Sequence, residues 1–203
     1  MRAEHIYLAA HDTHRAELLG RIGVPFELLR FRDGERADPE VSDGVVTGET
    51  PLEHVHRVAL ARAMGGVRRI VLRHLTHSAV LACATVIDLD GETLVRPAKP
   101  ETAAQILRKL SGRTHRVISC VVLADQERSS EAVSASEVRF VRLSEQSIEH
   151  CLRAGIAADE PGAYSLLGPA AAYIQHVQGS CSGIMGLPLH ETAVLLSRFG
   201  NAP

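Results

Sequence analysis

Two rhythms of apolar residues take turns along this chain. Short continuous or alternating runs of strand length are followed by stretches in which apolar positions recur every three to four residues. Residues 5–10 read as a short buried strand, and Thr13 to Ile22 as an amphipathic helix that Gly23 stops. Pro25 to Phe31 reads as a second strand, and the polar, Gly-rich residues 32–49 as a loop. Thr50-Pro51-Leu52-Glu53 is a capping box with proline at the first helical position, so a helix starts there. It is expected to run to Met64 and to end at Gly65-Gly66.

Strands are predicted over 68–74 and 79–89, the second closing in a turn at Asp90-Gly91. Glu101 to Leu110 reads as a helix stopped by Gly112. Strands follow over 115–125 and 136–143, with a polar excursion from Asp125 to Ser134 between them. Ser144 caps a helix ending near Gly155, and 156–169 is a loop. A strand over 171–178, a Gly/Ser-rich loop and a helix from His190 to Phe199 complete the reading. Interleaved strands and helices make the class α/β, with no repeat, low-complexity tract or linker, hence one domain over 1–203.

Composition narrows the chemistry. With 45% hydrophobic residues and 203 in total, the chain can bury a sizeable core. Lys and Arg (22) nearly balance Asp and Glu (24), which argues against a nucleic-acid coat or a polybasic membrane patch. Trp is absent and aromatics are 3%, so a stacking platform for single strands is not expected. No apolar run approaches the ~18 residues that span a bilayer, and Glu4 is out of place in a signal peptide, so a cytoplasmic protein is expected. The widely spaced Cys83, Cys120, Cys151 and Cys181 form no metal or redox pair.

Several segments, in order, carry a resemblance. Gly162-Ala163-Tyr164-Ser165-Leu166-Leu167-Gly168 and the run from Gly179 to Leu189 are joined by the opening Leu8-Ala9-Ala10-His11-Asp12-Thr13-His14-Arg15 and by Gly23-Val24-Pro25-Phe26-Glu27. Ala84-Thr85-Val86-Ile87, Asp90-Gly91, Arg96-Pro97, Leu110-Ser111-Gly112 with His115, and Ser136-Glu137-Val138-Arg139-Phe140 complete the set. Together they resemble the Maf family of nucleoside triphosphate pyrophosphatases over nearly the whole chain. The resemblance implies a Maf/ITPase-like mixed β-sheet with flanking helices, two lobes around a central cleft, and common homodimers. The reaction it implies splits a nucleoside triphosphate into a monophosphate and diphosphate with Mg²⁺ or Mn²⁺.

Set against the family's pattern, the residues depart where chemistry is expected. The family's key Asp is Ala84, its opening serine is Ala10, and the first of its paired arginines is His14. Its two lysines are Arg62 and Arg96, and the Glu, Lys and Gln of its C-terminal pattern are Ile156, Glu160 and Leu167. Arg15 survives, so Arg15, Arg62 and Arg96, with His14, are the candidate phosphate-binding set, arginine being able to replace lysine as a clamp. Asp12 and Glu35 are the candidate replacements for the missing catalytic carboxylate. The bland reading makes Asp12 a helix cap and Glu35 a solvated loop residue. Asp88 lies on the same strand face as Ala84 but roughly 13 Å further along at ~3.3 Å per residue. His11 and His14 at i,i+3, with Asp12 or Glu35, are metal candidates, against a reading as surface histidines.

Three functions stay open: a divergent pyrophosphatase of weak or altered activity, a non-catalytic binder of nucleotides or other phosphorylated small molecules, and a dimeric interaction protein with a vestigial cleft. Function has to come from the site rather than the fold.

Overall fold

In the computed structural model, which describes residues 5–10, 13–32, 38, 42–97, 99–153 and 164–200, the chain forms one seven-stranded mixed sheet flanked by helices on both faces. In chain order the elements are β1 Ile6–Ala9, α1 Thr13–Arg21, β2 Phe26–Leu28, α2 Pro51–Leu72, β3 Val80–Leu89, β4 Glu92–Leu94, α3 Pro100–Leu110, β5 Thr114–Ala124, β6 Ser129–Phe140, α4 Glu145–Arg153, β7 Ile174–Gln178, α5 Cys181–Ile184 and α6 Leu189–Phe199. A 3-10 turn, Pro169–Tyr173, precedes β7. The strand order is β2-β1-β3-β5-β6-β7, with β4 paired to β3. β1 runs parallel to β2 and β3, and the other pairings are antiparallel.

Side-chain alternation on the strands sorts the core into three clusters. Tyr7 and Ala9 of β1 and Val80, Ala82, Ala84 and Val86 of β3 pack under α2. Ile6 and Leu8, with Leu81 and Cys83, face the opposite way, toward α1 and α6. Further along that second face, Ile87, Leu89, Val117, Val138 and Phe140 meet α3 and α4. The long strands β3 and β5 contribute to all three clusters.

Two expectations fail for identifiable reasons. α2 does not end at Gly65-Gly66 but runs on to Leu72, so the strand expected over 68–74 is helix. A Cβ on Gly66 would lie 2.6 Å from Val80 Cγ1 and 3.1 Å from Leu29 Cδ2. Gly66 is there for close helix–sheet approach, not for termination. The capping box itself is present, with the Thr50 hydroxyl accepting from Glu53 N and the Glu53 carboxylate accepting from Thr50 N. Second, the polar excursion before 136 is the first half of β6, hairpin-paired with β5 from Ala124↔Ser129 onward. Its inward positions Ser130, Ser134 and Ser136 hide the alternation. β4, α5 and the 3-10 turn are additional short elements.

Candidate functional site

The chain reverses its winding around β1: α1 leads to β2 on one side, and α2, on the other face, leads to β3 on the other side. In open α/β sheets that reversal opens a crevice beyond the carboxyl ends of the strands. Here the crevice is a notch in one edge of β3. β1 covers that edge only at Val80–Ala82, and β4 takes it up again at Ile87–Leu89. With β5 occupying the other edge throughout, Cys83–Val86 is left without a strand neighbour on the notch side among the described residues. These are the residues around Ala84 that the sequence singles out.

Three cations arrive from different elements. Arg62, on the face of α2 that packs against the sheet, donates from Nη1 to the Cys83 carbonyl at 3.2 Å, just past the point where β1 stops. Arg15, in the first turn of α1, donates from Nε to the Gly186 carbonyl at 2.9 Å, tying that turn to the loop between α5 and α6. Arg96 stands exposed two residues beyond β4, where the hairpin returns toward the open edge. The first turn of α1 holds no acidic residue, so its amide end keeps its attraction for anions. His14 sits beside Arg15 with Nε2 buried and unbonded among the described residues. Asp12, His11 and Glu35, the candidate catalytic and metal residues, lie outside the described residues, as does position 156.

Ala84 is 3% exposed and packs with Val55, Ala59 and Ala63 of α2. Asp88, on the same face, is 4% exposed and already committed. Its Oδ1 accepts from Gly91 N at 2.8 Å, and its Oδ2 accepts from Arg116 Nε at 2.9 Å and from Arg116 Nη2. It fastens the β3–β4 turn and does not serve the notch.

On the opposite face a row of hydroxyls crosses the sheet between the two apolar clusters. Thr85 faces Ser119, and Ser119 faces Ser134 across the ladder. α5 sits on this row: Ser119 Oγ donates to Gly183 O at 2.7 Å, and Ser136 Oγ accepts from Ser180 N at 2.9 Å. Gly179 takes a positive φ of 112°, and a Cβ there would meet Ser136 Oγ at 2.7 Å, so the motif's glycine is a steric requirement. The sequence reading noticed the Gly/Ser loop but not the row; serines at alternate positions of a long strand were its signal.

Tyr164 is buried with its hydroxyl 2.7 Å from His115 Nε2, and both rings pack on Phe140. Burial pushes the His115 imidazole down to about 4 and the Tyr164 phenol well above its ordinary range. Leu167 is 67% exposed. At the start of α2, Glu49 accepts from Arg57 Nε at 2.6 Å and Val46 N at 3.2 Å, and meets His54 Nδ1 at 3.1 Å. Arg57 foremost holds the Glu49 carboxyl down to about 2. His54 is buried, and His56 is paired with Glu131. Arg69 is paired with Asp38 and lies 4.1 Å over the Phe31 ring.

The described residues of the notch do not by themselves make a metal site. Among the described residues no three His, Cys, Asp or Glu side chains gather for one, and position 84 supplies no side-chain oxygen. Nor is any described helix long and apolar enough to cross a membrane.

Comparison with known proteins matches residues 5–199 to the family model described as Maf-like protein. The dTTP/UTP pyrophosphatase of Aromatoleum aromaticum is 47% identical over 196 residues, covering 96% of this chain and 95% of that protein. The dTTP/UTP pyrophosphatase of Dechloromonas aromatica is 39% identical, covering 98% of each. Among solved structures, the Staphylococcus aureus Ham1 protein is similar with a TM-score of 0.46 at 13% identity, over 67% of this chain and 71% of that one.

Proposed function

The chain belongs to the Maf family, and from that premise we propose that it is a nucleoside triphosphate pyrophosphatase, taking UTP and dTTP to the monophosphate and diphosphate. The observation that carries this reading is the likeness, along nearly the whole of both chains, to relatives named for that activity. The notch supports it physically. Arg62 is tied to the Cys83 carbonyl of the open stretch and Arg15 to the Gly186 carbonyl; these two, with Arg96 and the amide end of α1, are the donors proposed to face the nucleotide. Such a set of donors suits a triphosphate and the charge that builds up as its bond breaks.

The missing carboxylate at Ala84 sets the rate. Each ~1.4 kcal/mol of lost transition-state stabilisation is a factor of ten, so turnover is slow beside an enzyme with an Asp there. A divalent cation, Mg²⁺ or Mn²⁺, enters with the nucleotide, and Asp12 and Glu35 are the side chains proposed to assist it. A cytoplasmic homodimer is the setting proposed for the reaction.

A second reading, a protein that binds nucleotide without cleaving it, has one observation in its favour: Ala84 is closed into the apolar cluster under α2. Product analysis separates the two. Purified protein is incubated with UTP, dTTP, CTP, ATP and GTP, each with Mg²⁺ or Mn²⁺, and binding is measured by calorimetry. The pyrophosphatase reading expects monophosphate and diphosphate in equal amounts, with UTP and dTTP preferred. Saturable binding without products supports the second reading, and neither binding nor products overturns both.

A further inference from the structure

Hydrogen-bond accounting in the hydroxyl row fixes the direction of one group at the notch. Ser119 is fully buried, and its Oγ lies 2.7 Å from the Gly183 carbonyl, an acceptor only, so the single Ser119 proton is spent there. Thr85 Oγ1 lies 2.7 Å from the same Ser119 oxygen. With the Ser119 proton committed, Thr85 must be the donor in that contact, and its own single proton is spent as well. The chain runs one way, from Thr85 to Ser119 to the Gly183 carbonyl. Ser119 and Gly183 are buried, whereas Thr85 is only partly so and stands on the open edge between β1 and β4. Its oxygen therefore presents lone pairs and no proton.

That polarity differs from that of the side chains proposed to hold the phosphates. Arg15, Arg62 and Arg96 donate and cannot accept, and Ala84 offers neither. A donor holds water by its oxygen lone pairs, which are the electrons needed for attack on phosphorus. An acceptor that cannot donate holds water by a hydrogen and leaves the oxygen free to point at the phosphate.

From this we infer that Thr85 is a catalytic residue that aims the hydrolytic water, and that Ser119 is the positioning residue that keeps Thr85 an acceptor. The inference rests on the pyrophosphatase reading. In the step itself the water oxygen bonds to phosphorus as the bond to the diphosphate oxygen breaks. The water's proton leaves with the phosphate products or to solvent, and Thr85, a neutral hydroxyl, keeps its own.

The experiment is steady-state pyrophosphate release from UTP by wild type, Thr85→Val, Thr85→Ser and Ser119→Ala, with UTP affinity measured by calorimetry and folding checked by urea midpoint. Losing one neutral hydrogen bond is worth roughly threefold to tenfold. Thr85→Val is expected to lose that much in kcat with KM and UTP affinity unchanged, and Thr85→Ser to recover it. Ser119→Ala frees the Thr85 proton and gives a smaller loss in kcat. Wild-type kcat in a folded Thr85→Val, or a loss confined to KM and affinity, overturns the inference while the pyrophosphatase reading stands. A wild type that releases no pyrophosphate overturns both.

Discussion

Lowering the pH from 7 to 4.5 should destabilise this protein chiefly through one buried imidazole. His115 is 3% exposed, its Nε2 bonded to the Tyr164 hydroxyl and its Nδ1 without a partner among the described residues. Burial depresses its pKa from the ordinary 6.5 to about 4. The unfolded chain therefore takes up a proton below pH 6.5 that the folded chain refuses until about pH 4. The neutral ring contributes its full stability above pH 6.5 and loses it progressively as the pH falls to 4. A shift of this size is worth about 3 kcal/mol in total, of which about 2.5 is lost by pH 4.5. Glu49 titrates between its ordinary 4.5 and about 2, so its contribution is lost below this window. The assay is urea unfolding at half-unit pH steps, comparing wild type with the non-titrating His115→Gln. Tyr164→Phe serves as a second probe because it strands Nε2 as well, at about 1–3 kcal/mol. Wild type should lose about 2.5 kcal/mol more than His115→Gln between pH 7 and 4.5. A difference under about 1 kcal/mol, or a wild type that gains stability on acidification, would refute the reasoning.

Further expectations follow from packing and charge. Gly66→Ala should destabilise by about 1–2 kcal/mol in urea unfolding: overpacking against Val80 and Leu29 costs about 1–3, offset by up to ~1 of helix propensity. Glu49→Gln weakens the tie from the 44–49 segment to Arg57 and His54, so its urea midpoint should fall at pH 7. Because the Glu49 pKa is held low, wild type and Glu49→Gln should converge as the pH drops from 4.5 toward 2. Gly179→Ala, strained at φ 112° and in contact with Ser136, should lower the midpoint more than Gly66→Ala does.

Much of the architecture was legible because alternation and capping are local signals. The capping box at Thr50, the apolar run of β3 and the turn at Asp90-Gly91 all appear where the pattern puts them. The long reach of α2 was not legible, since Gly65-Gly66 reads as a stop unless Val80 is known to lie against it. β6 escaped for the opposite reason: its inward face is serine where it meets α5 rather than apolar core. At the site, motif positions identified Arg15, Arg62 and Ala84, but only pairing registers reveal that β1 and β4 leave Cys83–Val86 open between them. The direction of the Thr85 hydroxyl depends on a partner 34 residues away and a carbonyl 64 residues beyond that. No local window contains it.

The most direct test of the account is pyrophosphate release from UTP and dTTP by wild type and Ala84→Asp side by side. A triphosphate site that lacks only its carboxylate predicts slow release by wild type. It also predicts at least a tenfold gain when Asp stands beside the Arg62–Cys83 contact, equal to about 1.4 kcal/mol of barrier. A folded Ala84→Asp protein that releases pyrophosphate no faster than wild type, or two proteins that neither bind nor cleave these nucleotides, would contradict it.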